Sequence, residues 1–212
     1  GLTVTPVGDY AGTFDMTVTA TSADGSTTTG TSAVTVNPVA DAPTLSAEAA
    51  TGAEDTAIAL NIATAETDVD GSEVLSMTIA GVPAGAKLSA GTDNGNGTWT
   101  LDPATDLAGL TITPAANFNG TINLTVDTVV TDTATGLPSD TATASQQLSI
   151  NVSAVPDAPT VTVGNVAGTE DIAMGLNIDV QPSGGVAGDS VVLTGVPDGA
   201  VLTGADGLSI TS

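Results

Sequence analysis

An internal repeat with a period close to 116 residues constrains the fold of this chain more than any other feature. Residues 39–45 (VADAPTL) return as residues 155–161 (VPDAPTV), at an offset of 116. Residues 54–62 (EDTAIALNI) return as residues 170–178 (EDIAMGLNI) at the same offset. Self-similarity of this kind is the signature of tandem copies of one folded unit.

Two further matches extend the repeat to the whole chain. Residues 81–88 (GVPAGAKL) return at 195–202 (GVPDGAVL) with an offset of 114, which indicates a two-residue loop deletion in the later copy. Residues 2–18 match residues 110–126 with an offset of 108. The middle copy is therefore predicted to carry an eight-residue loop insertion before Ile150.

Apolar and polar residues alternate with a period of two, which predicts half-buried antiparallel strands. The alternation is clear in the segments that begin at Phe14, Ile58, Leu75, Ile122 and Leu148. Asp-Gly and Asn-Gly pairs mark turns between these segments, and no stretch shows helical periodicity. About seven short strands per ~100 residues are typical of a sandwich. The expected fold class is all-β, with tandem immunoglobulin-like or cadherin-like Greek-key β-sandwiches.

The repeat also predicts how the chain divides. We expect the C-terminal part of one β-sandwich at 1–38, a complete β-sandwich at 39–154 and the N-terminal part of a following one at 155–212. Such a segment is either one register cut from a longer array or a chain whose half-domains are completed by strand donation between neighbouring copies. Excision from an array is the interpretation that we favour from the sequence, because repeat arrays are often cut arbitrarily.

Composition narrows the chemistry that the chain can perform. There is no Cys and no His, Lys87 is the one basic residue, and the net charge is −23. Disulfides, thiolate sites and histidine catalysis are thereby excluded, and binding to nucleic acid or anionic membranes is disfavoured. Carboxylate and carbonyl oxygens suit calcium. No apolar run is long enough to span a bilayer and no signal peptide is recognisable, so we expect any targeting signal to lie outside this segment.

The clearest acidic motif is residues 68–73 (DVDGSE), where Asp68, Asp70 and Glu73 surround a glycine turn. Calcium sites need oxygens packed around one point, and without a cation the clustered charges repel one another. We therefore favour calcium binding over a solvated acidic loop. The corresponding loop of the last copy, residues 181–189, lacks this pattern, so the same site is not expected there.

A second candidate set consists of an acidic pair and a linker aspartate that recur at one offset. Its members are Glu54, Asp55 and Asp41 in the middle copy and Glu170, Asp171 and Asp157 in the last copy. They are either turn acids followed by a proline-stiffened linker or ligands of a calcium ion at a domain junction. Asp127 and Asp132 are secondary candidates near a junction.

Taken together, the Glu-Asp pairs, the DVDGSE loop, the stretch 114–121 (PAANFNGT) and the VNPVADAP linker resemble the bacterial cadherin-like, or tandem-95, repeats of giant RTX-type and biofilm adhesins. The resemblance implies extracellular β-sandwich extender domains, exported by a type I system and stiffened by Ca2+ near their junctions. The matching residues would be the nine acids of the two candidate sets. The glycine-rich calcium nonapeptides of a secretion-signal end are not present.

The resulting prediction is a non-enzymatic, structural extender on the bacterial cell surface. Its partners would be adjacent repeats of the same polypeptide or, by strand complementation, neighbouring copies. The alternatives are a module that binds a glycan or a protein, and an acidic surface adapted to high salt without a calcium role. Trp99 could be a sugar platform, although a core anchor is the simpler interpretation. Lys87 could form a crosslink in only one copy, since its counterpart is Val201.

Overall fold

All regular structure in the described part of the chain is β-sheet. The computed structural model describes residues 1–68, 71–181 and 191–203, and the chain divides into two compact units, Gly1–Ser153 and Ala154–Ser212. The strands are β1 (Gly12–Thr21), β2 (Thr27–Val36), β3 (Thr44–Glu48), β4 (Ala50–Ala53), β5 (Ile58–Ala59), β6 (Asn61–Ala65), β7 (Glu73–Ala80), β8 (Lys87–Leu88), β9 (Thr92–Asp93), β10 (Thr98–Leu101), β11 (Thr111–Thr113), β12 (Gly120–Asp132), β13 (Asp140–Ser153), β14 (Thr160–Gly164) and β15 (Asn177–Gln181).

The first unit contains a complete β-sandwich. Its largest sheet has the order β4-β13-β12-β7-β10-β9, and β4 pairs with β13 in parallel while the other neighbours are antiparallel. The sheets β5-β11-β8 and β3-β6 supply the other wall. Side chains from all three sheets form one hydrophobic core. The predicted all-β sandwich is therefore confirmed.

Strand β12 shows why the alternation in the sequence gives this fold. Ile122, Leu124 and Val126 are buried in the core, whereas the residues between them lie on the outer face. Because successive side chains of a strand point to opposite faces, this spacing places one apolar row against the opposite wall. Trp99 is also buried in this core, which places its indole in the packing and not on the surface.

The strand pairs that precede and follow the central sandwich in the sequence repeat its registers. In the hairpin β1–β2, Gly12 lies opposite Val36, as Gly120 lies opposite Val152 in β12–β13. Likewise β14 pairs with β15 in the register that β3 forms with β6. The β12–β13 ladder has 13 residue pairs and the β1–β2 ladder has 10. The eight-residue insertion therefore lies in the hairpin, where it lengthens both strands and the turn.

The recurring Gly-Val-Pro-x-Gly motif has the same backbone conformation in both copies. Gly81 and Gly195 have φ values of 86° and 79°, and Gly85 and Gly199 have values of 86° and 85°. These angles lie in the left-handed region, which residues with a Cβ rarely adopt. A Cβ on Gly81 would in addition lie 2.7 Å from the carbonyl oxygen of Asn123. The backbone geometry therefore requires glycine at these positions of the motif.

Candidate functional site

The candidate acids of the central sandwich are divided between its two ends. Strands β12 and β13 pair from Gly120 and Val152 at one end to Asp132 and Asp140 at the other. We call the end at Asp132 the entry end, because the linker that precedes β3 contacts it, and the end at Ser153 the exit end.

Three acids form a row across the sheet at the entry end. Asp132 is the register partner of Glu73 on one side and of Asp140 on the other. Asp132 is only 3% exposed, Glu73 is half-buried and Asp140 is exposed. The row exists because the lengthened hairpin carries β12 and β13 as far as the start of β7.

This row holds the linker through hydrogen bonds to its backbone. The N–H of Val39 donates to Asp132 Oδ2 at 3.0 Å, and the N–H of Ala40 donates to Asp140 Oδ2 at 3.0 Å. Hydrogen bonds to a carboxylate are stronger than neutral ones. Two neighbouring linker residues are therefore fixed to one end of the sandwich.

The second carboxylate oxygen of Asp132 has no such partner. Asp132 Oδ1 is buried and accepts no hydrogen bond from the residues that the structure describes. Asp132 also lines a cavity of about 290 Å3 together with Asp9 and Asp41. Because a buried charged oxygen without a partner is costly, a cation beside this atom would offset that cost.

The DVDGSE loop lies at the same end. Thr67 Oγ1 donates to the carbonyl of Ala42 at 3.2 Å, which ties the start of the loop to the linker. The N–H of Thr133 donates to the carbonyl of Ser72 at 3.3 Å, which ties its far side to the hairpin. Asp68 is buried, whereas Asp70 lies outside the described residues. The structure thus brings Asp68 and Glu73 to the entry end, together with Asp41.

The acidic pair 54–55 lies at the exit end. Glu54 is buried, and its N–H donates to the carbonyl of Ser153 at 2.9 Å. Asp55 adopts a left-handed φ of 59°, and its Oδ1 accepts the N–H of Asn117 at 2.9 Å. Asp171 in the second unit adopts a similar φ of 63°. Asp55 therefore acts as a turn acid that joins two loops.

Within the central sandwich the two candidate sets are only partly brought together. Asp41 lies at the entry end, whereas Glu54 and Asp55 lie at the opposite end. Asp157, Glu170 and Asp171 belong to the second unit, where their side chains are exposed. In the ranges 1–68, 71–181 and 191–203, no group of three or more Asp or Glu side chains is arranged closely enough to hold a metal ion by itself.

Sequence reasoning gave Asp132 a secondary place and did not consider Asp140. Both flank the turn of the lengthened hairpin. The signal that could have found them is the eight-residue insertion itself, since the shorter hairpin has one acid at its turn, Asp24, whereas the longer hairpin has an acid on each side of its turn.

Residues 39–111 match the family model of the cadherin-like domain. The matched segment is about a third of the chain and covers the linker, the DVDGSE loop and strands β3 to β10, so this part of the chain is similar to a cadherin-like domain. No curated protein matches the chain. Within the described ranges, no helix has the length and apolar character to cross a membrane.

Proposed function

We propose that this chain is a structural extender segment of a repetitive bacterial surface adhesin, divided into repeats at 1–38, 39–154 and 155–212, and stiffened by calcium at the entry end of its domains. The observation that carries the proposal is the pair of hydrogen bonds that the linker N–H groups of Val39 and Ala40 donate to Asp132 and Asp140. The other carboxylate oxygen of Asp132, Oδ1, is buried. A linker that is bonded to the next domain transmits force and orientation, which is what an extender requires.

Calcium suits this end of the domain for two reasons. All candidate ligands are hard oxygens, and the chain has no His or Cys to favour another metal. Like charges at contact distance also cost on the order of 1 kcal/mol per pair even in water. Asp132 Oδ1 would bind the ion, and because no three acids of the described residues are close enough to hold a metal as they stand, Asp41, Asp68 and Glu73 would have to move towards it on binding. A bound ion would neutralise the row and hold the linker, the DVDGSE loop and the hairpin together.

The other functions have less support. The cavity of about 380 Å3 beside Trp99 could suggest a glycan site, but the indole is buried and does not offer a face to a sugar. The nearby Asp93 and Asn96 side chains accept hydrogen bonds from their own turns. Their polar atoms therefore stabilise the β9–β10 hairpin.

Calorimetric titration of the chelated chain with calcium tests the proposal. We expect heat of binding, a higher melting temperature and, in small-angle scattering, a narrower distribution of particle dimensions. Sodium chloride at equal ionic strength is the control, because a true site responds to calcium at far lower concentration than to a general screening salt. Absence of binding at millimolar calcium would refute the calcium role.

A further inference from the structure

We propose that Asn96 is a site of spontaneous modification, at which the chain converts this residue to isoaspartate through a succinimide formed with Gly97. Water is the co-reactant and ammonia is released. The conversion would detach the tip of the hairpin β9–β10 from the loop that begins at Val82. The proposal does not depend on calcium, and it uses residues that the proposed function does not use.

The reaction joins the side chain of an asparagine to the backbone nitrogen that follows it. The Gly97 nitrogen gives its proton to hydroxide and forms a bond to Asn96 Cγ. The bond between Cγ and Nδ2 then breaks, and the nitrogen takes a proton from water and leaves as ammonia. Water opens the resulting ring at either of its carbonyl groups, which gives aspartate or isoaspartate. No atom is oxidised or reduced.

The sequence contains three asparagines that are followed by glycine, in the pairs Asn94-Gly95, Asn96-Gly97 and Asn119-Gly120. Glycine has no Cβ to obstruct the attack. Every other asparagine is followed by proline, which has no N–H, or by a bulky apolar residue. Because the local chemistry of the three pairs is the same, the folded structure decides which of them reacts.

At the middle pair the structure prepares both reacting groups. The N–H of Thr98 donates to Asn96 Oδ1 at 3.2 Å, and the Thr98 hydroxyl donates to the same oxygen. Such donors stabilise the negative charge that develops on the oxygen when Cγ is attacked, as in an oxyanion hole. The Gly97 N–H donates no hydrogen bond within the part of the chain that the structure describes. Asn96 is exposed, so hydroxide and water can reach the site.

The first pair is restrained at both reacting groups. The Gly95 N–H donates to Asp93 Oδ1 at 2.8 Å, and the negative charge of this acceptor opposes loss of the proton. Asn94 Nδ2 donates to Thr98 Oγ1 at 3.3 Å and to Thr100 Oγ1 at 3.1 Å. The side chain must therefore leave two partners before it can turn towards the Gly95 nitrogen.

The third pair is restrained by the central sheet. Gly120 is the first residue of β12 and lies opposite Val152 in the ladder with β13. Movement of its nitrogen towards the Asn119 side chain would disrupt the end of this ladder. Each hydrogen bond that has to break slows a reaction by about fivefold. Asn96 is therefore the asparagine that the folded chain selects.

Isoaspartate at residue 96 would disturb the contact between the hairpin and the loop at Val82. The backbone of isoaspartate runs through the former side chain and so gains one carbon before Gly97. The Gly97 carbonyl accepts the N–H of Val82 at 3.0 Å, and a Cβ on Gly97 would lie only 2.9 Å from the carbonyl oxygen of Val82. Because the two backbones are this close, the longer chain would displace Gly97 and break the hydrogen bond.

Trp99 would report the displacement. It is the one tryptophan of the chain and is 9% exposed. It lines a cavity of about 380 Å3 together with Val82, Asn96 and Gly97. Detachment of the hairpin would admit water to this cavity, and the fluorescence emission of the indole would shift to longer wavelength.

Peptide mapping of the aged full chain tests which asparagine reacts. The chain is kept at mildly alkaline pH and digested at low pH, which stops the reaction, and electron-transfer fragmentation distinguishes isoaspartate from aspartate. We expect isoaspartate to form at residue 96 at least about ten times faster than at residue 94 or 119. In urea the three rates should become similar. Absence of isoaspartate at residue 96, or equal rates at the three residues of the folded chain, would overturn the proposal.

Thr98→Val distinguishes activation of Asn96 from general loosening of the hairpin. It removes the hydroxyl that donates to Asn96 and accepts from Asn94, and valine suits a strand. The reaction should slow by about fivefold at Asn96 and accelerate by about fivefold at Asn94. Thr100→Val is the matched control, since it removes a partner of Asn94 alone and should leave the rate at Asn96 unchanged. Acceleration at both residues in Thr98→Val would show that the turn protects Asn96, contrary to the proposal.

Fluorescence of the isoaspartate form, separated from the aged sample by ion exchange, tests the structural effect. We expect emission at longer wavelength than in the unaltered chain. Asn96→Asp adds the same charge without the extra backbone carbon and should keep the original emission. Isoaspartate methyltransferase with S-adenosylmethionine, which returns isoaspartate to aspartate, should restore it. An unshifted isoaspartate form, or an equal shift in Asn96→Asp, would refute the detachment of the hairpin.

Discussion

Replacement of Asp132 by Asn would separate the structural role of this residue from a calcium role. The amide oxygen of Asn can still accept the N–H of Val39, which Asp132 Oδ2 accepts at 3.0 Å. The amide nitrogen would then occupy the place of Oδ1, the buried oxygen that accepts no hydrogen bond from any described residue. The substitution therefore removes one buried negative charge and keeps the shape of the side chain.

Without calcium the two effects of this change nearly cancel. A hydrogen bond to a charged acceptor contributes about 1 kcal/mol more than one to a neutral acceptor, and that increment is lost. The substitution also removes the cost of burying an uncompensated charge, which stabilises the variant by at least about 1 kcal/mol. We expect the free energy of unfolding of Asp132→Asn in chelator to lie within about 1 kcal/mol of that of the unaltered chain.

With calcium, the free energies of unfolding of the unaltered chain and of Asp132→Asn should differ. A ligand at 100 times its dissociation constant stabilises the folded state by about 2.7 kcal/mol. If the loss of one carboxylate weakens binding tenfold, the same calcium concentration stabilises the variant by only about 1.4 kcal/mol. The difference of about 1.3 kcal/mol corresponds to roughly 3–5 °C in melting temperature for a unit of this size.

Thermal melts with and without calcium, followed by circular dichroism, measure this difference directly. Asp127→Asn is the matched control, because Asp127 lies on the same strand but outside the row of Glu73, Asp132 and Asp140. If Asp132→Asn gained as many degrees from calcium as the unaltered chain, or if Asp127→Asn lost as many, Asp132 would not be a calcium ligand.

Three further substitutions test the fold of the central sandwich. Gly81→Ala should destabilise the central sandwich by about 2 kcal/mol or more in urea unfolding, because it combines a left-handed φ with a Cβ 2.7 Å from a carbonyl oxygen. Gly109→Ala is the control, since Gly109 has a φ of 72° and open space around the Cβ, and it should cost about 1–2 kcal/mol. If both substitutions cost the same, the contact between the new Cβ at residue 81 and the carbonyl oxygen of Asn123 would add nothing. Asp55→Ala should cost about 1 kcal/mol, with and without calcium alike, because it removes the acceptor of the Asn117 N–H; a loss seen only with calcium would instead make Asp55 a ligand.

Much of the fold could be predicted from the sequence because its strongest signals are local. The alternation in β7, β12 and β13 follows from the geometry of a strand with one buried face. Strand β4 could not be predicted in this way, because its sequence, Ala50–Ala53, has low strand propensity and pairs in parallel with the distant β13. Tertiary contact and not local preference makes it a strand.

The site was less predictable because it depends on register between distant segments. Glu73 and Asp132 are separated by 59 residues, and only the pairing of β7 with β12 makes them neighbours. The described residues of the motif at 68–73 lie on one side of the entry end. The motif could not indicate that the linker N–H groups would be bound by acids from the hairpin.

The two hairpins show how hairpin length decides which contacts an acid makes. Asp24 occupies the position in the first hairpin that Asp132 occupies in the second, counted from Gly12 and Gly120. In the shorter hairpin this acid lies in the turn, where the Ser26 hydroxyl and N–H donate to its Oδ1 at 2.7 and 3.0 Å and hold its pKa below the ordinary value. Its charge is thus satisfied within its own turn. In the longer hairpin the same acid is buried against a linker. Three added residue pairs therefore place this acid in the last pair of the ladder, where Asp132 contacts the linker, and not in the turn, where Asp24 lies.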